Sequence, residues 1–181
     1  MPRVLLLNKP YGVLCQFTDR QGRPTLADFV RVPGVYAAGR LDQDSEGLVV
    51  LTDDGPTQHR LSHPRFEKEK GYFVQVERIP SDDALRRLGA GVEFGGVRAR
   101  PARVRRVEPP PLWEREPPVR FRKSVADCWL EIWITEGMNR QVRRMTAAVG
   151  HPTLRLVRFA VGPFRLDGLG LGQWREVPLP P

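Results

Sequence analysis

Between Gly39 and Gly47 the chain carries one arginine and three acids, Arg40, Asp42, Asp44 and Glu46, and a run of strand-forming residues, Leu48 to Leu51, follows at once. A carboxylate held at the edge of a rigid sheet, with a guanidinium close by, has the placement that carboxylate chemistry on a bound substrate requires. A second constellation lies downstream. Arg140, Arg143 and Arg144 recur at i, i+3 and i+4 and so share one face of a helix. Like charges at that spacing repel one another, so an anionic partner explains the stripe better than stability does. Two plainer readings stand beside these. A lone loop aspartate is more often a turn or cap residue, and a basic stripe can be a solvated face. The acids also imitate a calcium loop, with Asp42, Asp44 and Glu46-Gly47 followed by Asp53. Their flanks read as strands and not as the helices such a loop needs.

The elements that must position these groups are short. Arg3 to Lys9 and Gly12 to Phe17 read as strands around a Pro10-Tyr11-Gly12 turn. Thr25 caps a short helix reaching Val30. Val35 to Ala38 and Leu48 to Thr52 are strands on either side of the acidic loop, and Pro56 to Ser62 is a helix with proline in its first turn. Lys68 to Val76 alternates, with Tyr72, Val74 and Val76 on one side and Phe73 and Gln75 on the other. Ser81 caps a helix to Leu88 that has acids in its first turn. Gly95-Gly96 is a hairpin turn, and Ala102 to Val107 a further strand. Glu108 to Lys123 contains Pro109, Pro110, Pro111, Pro117 and Pro118 and cannot enter a sheet interior. It is expected as a surface excursion ending in Arg120, Arg122 and Lys123. Asp127 to Thr135 is a strand. Asn139 is expected to cap the basic helix, whose buried face is Val142, Met145, Thr146 and Val149. Thr153 to Val161 and Trp174 to Val177 close the chain as strands. Without regular strand–helix alternation, the pattern predicts an α+β fold with a mixed, mostly antiparallel sheet.

The 181 residues suffice for one substantial core or two small lobes, and the net charge is +8. Only Lys9, Lys68, Lys70 and Lys123 are lysines, so arginine carries nearly all of the positive charge. Arginine suits phosphate and base recognition, although a GC-rich genome produces the same bias. No run approaches a membrane span, no secretory leader is evident at Met1, and Cys15 and Cys128 lack metal-ligand spacing. The expectation is a cytoplasmic protein without a membrane partner.

Four separated stretches resemble the pseudouridine synthases of the small-subunit-enzyme (RsuA-like) branch. They are Leu7 to Gly12, Gly39 to Gly55, Lys70 to Val74, and Glu136 to Met145. Their order and spacing match as well. Pro117 to Ser124 and Val142 to Arg158 resemble one large-subunit-specific subgroup of that branch. The resemblance implies a pseudouridine synthase fold with short helices flanking the central sheet and two lobes with a cleft between them. It implies one catalytic domain over residues 1–181, with 108–123 as its excursion and no room before Leu7 for the S4-type module that many relatives carry.

By the same resemblance, Asp42 is the catalytic aspartate, Tyr72 stacks on the target base, and Arg143 is the basic residue paired with the aspartate. Leu156 lines the target pocket. Arg40 helps to fill the gap left by the flipped nucleotide. Arg140, Arg144, Lys9, Arg120, Arg122 and Lys123 are the expected RNA contacts. Met138 departs from relatives that carry arginine or lysine there. The implied reaction converts a uridine of large-subunit (23S) ribosomal RNA, presented in a stem-loop, to pseudouridine. It requires no cofactor and no metal, and the chain is expected to act as a monomer. Two other classes stay open: a non-catalytic RNA-binding or ribosome-assembly protein, and a metal-dependent nuclease using Asp42, Asp44 and Asp53.

Overall fold

Strand β1 (Val4–Lys9) is buried at all six positions and β3 (Glu46–Thr52) at all seven. Strands covered on both faces read as continuous runs instead of alternating ones, which is why VLLLNK and GLVVL lack a two-residue period. These strands belong to a computed structural model that describes residues 1–179. Its contacts divide the chain into two units, one formed by Met1–Lys68 together with the segment from Arg158 onward, the other by Glu69–Val157.

In the first unit β1 pairs antiparallel with β3 on one side and with β11 (Trp174–Val177) on the other, while β2 (Tyr36–Ala37) pairs antiparallel with β3. Leu5, Leu7, Val13, Leu26, Leu41, Val49 and Leu51 form its apolar cluster. Fully burying one such leucine is worth about 1.5–3 kcal/mol, so this cluster anchors the loop that Leu41 begins. Helix α1 (Gly55–Ser62) starts after Asp54, whose carboxylate accepts the Thr57 amide at 3.0 Å, with Pro56 in the first turn. The expected Thr25 helix is a single 3-10 turn, Leu26–Asp28, closed by a reciprocal capping box between Thr25 and Asp28.

The second unit is built on β4 (Lys70–Glu77), β7 (Arg103–Val107) and β8 (Asp127–Ile134), ordered β4–β8–β7 and antiparallel throughout. One sheet face presents Tyr72, Val74, Val76, Leu130, Ile132 and Ile134 to a core that also takes in Leu88 of α2 (Asp82–Ala90) and Val142 and Met145 of α3 (Gln141–Ala148). The Ser81 hydroxyl caps α2 by accepting the Ala84 amide at 3.1 Å. Gly95 and Gly96, both with positive φ, form the two-residue turn between β5 (Glu93–Phe94) and β6 (Val97–Arg98). Strand β9 (Thr153–Val161) contributes Thr153–Val157 to this unit and its remainder to the first, where β10 (Phe164–Arg165) folds back on it. No helix among the described residues is long and apolar enough to cross a membrane.

Two expectations are corrected. Gly12 to Phe17 is not a strand. The chain there makes only isolated main-chain bonds, such as Leu14 N to Pro24 O at 2.9 Å, and one bridge from Leu14 to Thr25. Asn139 does not cap α3. The cap position is Arg140, in a left-handed conformation with φ 53°, and it makes no side-chain cap bond. Gln141 Oε1 accepts the Met138 main-chain amide at 3.1 Å while Gln141 Nε2 donates to Glu136 Oε1 at 3.0 Å. That doubly bonded glutamine fixes the helix start one residue later than asparagine's cap preference suggests.

Candidate active site

Asp42 lies on the loop between β2 and β3, half-buried between Leu41, which is 5% exposed, and the exposed Gln43. Asp42 O accepts the Ser45 amide at 3.1 Å, and Gly12 N donates to Gln43 O at 2.8 Å. Two buried cations grip the main chain of this loop. The Lys9 ammonium, with 0% of the residue exposed, donates to Pro10 O and Val13 O at 2.8 Å each and to Gln43 O at 3.4 Å. The Arg158 guanidinium, at 4% exposure, donates to Leu48 O at 2.9 Å and to Gly39 O at 3.4 Å. The carboxylate is thus presented from a segment tied on both sides of it. Buried cations normally demand such multiple bonds to offset desolvation.

A glycine makes the second grip possible. Gly47 has φ +106°, and a β-carbon there would stand 2.2 Å from the Arg158 carbonyl oxygen. Strand β3 can approach Arg158 this closely only because position 47 has no side chain.

Burial pushes the Lys9 ammonium down to about 8, against the opposing pull of Cys15, Glu46, Asp44 and Asp42. Below that value Lys9 is charged in both the folded and the unfolded chain, and its desolvation weighs against folding. Above it the fold has shed a proton that the unfolded chain keeps up to the ordinary lysine value of 10.5. Stability should therefore rise with pH across that window. Urea midpoints measured at steps from pH 7.5 to 10.5 should show the rise as the difference between the wild-type profile and that of Lys9→Met. Parallel profiles for the two proteins would show that Lys9 does not titrate there.

The expectation that Lys9 touches RNA is corrected by the same facts: an ammonium bonded to three carbonyls and closed off from solvent is not a phosphate contact. Arg40, in contrast, is exposed and donates to Gln16 Oε1 at 3.1 Å.

The remaining candidates lie on the second unit. Tyr72 is 8% exposed in β4, opposite Ile132, and belongs to the apolar cluster that also holds Val142 and Leu156. Arg143 is half-buried on α3, while Arg140 and Arg144 are exposed. The expected buried face of α3 is present in Val142, Met145 and Thr146. Arg144 lies over the Phe94 ring at 4.8 Å, a cation–π contact that orients it. Arg120, Arg122 and Lys123 are exposed at the end of the proline-rich excursion, and Arg122 is held in a two-pronged ion pair by Glu77. The structure thus gathers Asp42 and Arg40 on the first unit and Tyr72, Arg143, Leu156, Arg140 and Arg144 on the second.

Sequence reasoning missed Lys9 and Arg158 as the groups that hold the loop. The available signal was their setting, a lysine ending an otherwise apolar strand and an arginine inside the apolar run Leu154 to Val161.

The fold holds a clamped, half-buried carboxylate on the loop between β2 and β3 in one unit, and a buried aromatic strand residue and a basic helix in the other. The chain belongs to the RNA pseudouridylate synthase family, which matches residues 3–148. It is 61% identical over 175 residues to the protein named ribosomal large subunit pseudouridine synthase E of Xanthomonas campestris pv. campestris, covering 95% of this chain and 94% of that one. It is 53% identical over 178 residues to the protein of the same name from Vibrio vulnificus, covering 98% of this chain and 76% of that one. Among solved structures, one described as a pseudouridylate synthase superposes with a TM-score of 0.79 at 30% identity, covering 98% of this chain and 71% of its own. The α+β pseudouridine synthase fold expected from the sequence is the fold found.

Proposed function

We propose that this chain isomerises a uridine of large-subunit ribosomal RNA to pseudouridine, with Asp42 as the catalytic carboxylate. The observation that carries the reading is the Asp42 loop itself, gripped by Lys9 and Arg158 through main-chain carbonyls. The names of the similar proteins from Xanthomonas and Vibrio supply the substrate class.

The chemistry suits the residue. The bond from N1 of uracil to C1′ of ribose breaks, the base turns, and C5 bonds to C1′. C5 gives up its hydrogen as a proton, and N1 takes one up. Nothing is oxidised or reduced, so the balance requires no redox partner. A carboxylate serves such a centre as a nucleophile at C1′ or as a base toward the sugar, and in either role it works ionised. Arg143 is the basic residue that supports it on this reading, and Leu156 lines the pocket for the base.

A uridine must leave its stack to reach the aspartate, at a cost of a few kcal/mol. Stacking on Tyr72 returns on the order of 1–3 kcal/mol. Arg40, Arg140, Arg144, Arg120, Arg122 and Lys123 supply phosphate contacts to a stem-loop of the RNA, bound by a single copy of the chain.

Tritium release from uracil-5-labelled large-subunit RNA, with a chelator present, tests the reading directly. RNA binding without release marks a non-catalytic binder, and strand cleavage that the chelator stops marks a nuclease. Tyr72 gives a graded check. Tyr72→Phe should stay near wild type, while Tyr72→Ala should lose about 10- to 100-fold in kcat/KM through lost stacking. Both should be assayed well below their unfolding midpoints, because truncating a core aromatic also costs about 3–5 kcal/mol of stability. A hydroxyl-deletion variant as impaired as the alanine variant would reject stacking as the role.

A further inference from the structure

Phe121 is 53% exposed, although its neighbours in the chain are anything but loose. Arg122 is paired with Glu77 through both carboxylate oxygens, and the same carboxylate reaches Arg78 at 3.7 Å. The Arg122 guanidinium holds the Glu77 carboxyl below the ordinary range, against the opposing effect of burial. Val125 N donates to Arg122 O at 3.3 Å, and Arg78 N is bonded to Ala126 O. Upstream, Arg115 donates to the carbonyls of Pro117 at 2.9 Å, Pro118 at 3.2 Å and Leu154 at 3.3 Å. The tip of the proline-rich excursion is therefore a fixed shelf tied to the end of β4. It holds a half-exposed phenyl ring, and the same tied segment includes Ile79 at 63% exposure.

The charge of that stretch is mostly positive. Arg78, Arg120, Arg122 and Lys123 are all exposed, and the acids of the same shelf are Glu77, Glu116 and Asp127. Glu77 is bonded to Arg122, and Asp127 accepts Gln75 Nε2 at 2.8 Å. Leaving an aromatic ring bare forgoes the gain of burying it, and a fixed shelf would offer the same ring to solvent permanently. An exposed aromatic flanked in the chain by exposed cations fits one class of partner well: an unpaired nucleotide, whose base stacks on the ring while adjoining phosphates meet the cations. A shelf that is already ordered spends little entropy on binding.

We propose that Phe121 is a second base-stacking contact, which docks an unpaired base of the RNA substrate outside the catalytic site, with Arg120 and Lys123 on the adjoining phosphates. This rests on RNA being the substrate, as set out above. It adds a specificity contact separate from Asp42 and Tyr72. Phe121 does not touch the reacting uridine, so the shelf changes KM and leaves kcat alone.

The test uses the full chain and large-subunit RNA transcribed in vitro. Kd is measured by filter binding, and kcat and KM by tritium release, for Phe121→Ala, Phe121→Leu and Phe121→Trp. Stacking predicts that the alanine and leucine variants both weaken Kd and raise KM about tenfold, that Phe121→Trp restores both, and that kcat stays at the wild-type value. Arg120→Ala and Lys123→Ala should each lower the slope of log Kd against log salt by about one unit. Leucine performing as well as phenylalanine would mean that apolar contact without ring stacking suffices, and would overturn the proposal. Unchanged Kd in all three Phe121 variants would do the same. The binding arm does not depend on turnover. If the wild type binds RNA but releases no tritium, the catalytic reading fails while the shelf is still judged by Kd.

Discussion

Asp42→Asn should release no tritium above background and still bind the RNA within several-fold of wild type. The substitution keeps the shape of the side chain and removes only its charge and basicity. It leaves the main-chain bonds of the loop in place, including Ser45 N to Asp42 O and Lys9 Nζ to Gln43 O. Loss of a carboxylate that acts at the reacting atoms costs on the order of 10⁴-fold in rate. Loss of one negative charge from a surface that binds a polyanion leaves affinity equal or slightly better. The variant carries a second readout. Asp42 is among the acids that hold the Lys9 pKa up against burial. Without it, the pH at which Lys9 begins to lose its proton in the folded chain should move down from about 8, and the rise in stability should begin earlier. Measurable turnover in Asp42→Asn would defeat the assignment. Absent turnover with an unshifted stability profile would keep the catalytic role and place Asp42 farther from Lys9 than its influence on that ammonium implies.

Much of this arrangement can be read from the residues because local signals and tertiary packing agree. Strand β9 runs from Thr153 to Val161 and β11 from Trp174 to Val177, the spans their composition suggests. The two-glycine turn and the Ser81 cap follow from backbone chemistry alone. Tyr72, Val74 and Val76 share a core face as their alternation requires. The failures have physical causes too. Gly12 to Phe17 has strand-like composition, but the Lys9 ammonium draws Pro10 O and Val13 O toward one point. A chain so gathered cannot extend along a neighbouring strand. Lys9 escapes a local reading because a lysine usually keeps its charge in water. Only the three-dimensional meeting of Pro10, Val13 and Gln43 creates a buried seat for it. Asn139 does not cap because cap preferences are statistical, whereas Gln141 is fixed by two specific side-chain bonds. The pairing of Gly47 with Arg158 joins positions far apart in the chain, and no local pattern announces it.

The close approach at Gly47 leads to the largest expected effect on stability. Gly47→Ala should lower the urea and thermal midpoints steeply, and Gly39→Ala should lower them only slightly. Both glycines have positive φ, +106° at Gly47 and +89° at Gly39. An alanine at either position carries a backbone penalty of about 1–2 kcal/mol. The difference lies in what the new methyl meets. At Gly39 nothing stands within 4 Å. At Gly47 the methyl would fall 2.2 Å from Arg158 O, 3.0 Å from Arg158 N and 3.1 Å from Arg158 C, all of them backbone atoms. No rotamer change relieves that overlap, so β3 and Arg158 must separate. Separation pulls Leu48 O and Gly39 O away from the buried guanidinium, leaving a charge without its partners. Together the clash and the stranded charge should cost on the order of 3–5 kcal/mol, a large part of the total stability of a small protein. Turnover should fall further than the folded fraction does, because the loop that presents Asp42 loses one of its two grips. Equal midpoints for the two alanine variants would show that β3 can shift away from Arg158 without loss, and the grip of Arg158 on the Asp42 loop would then have no claim to a catalytic purpose.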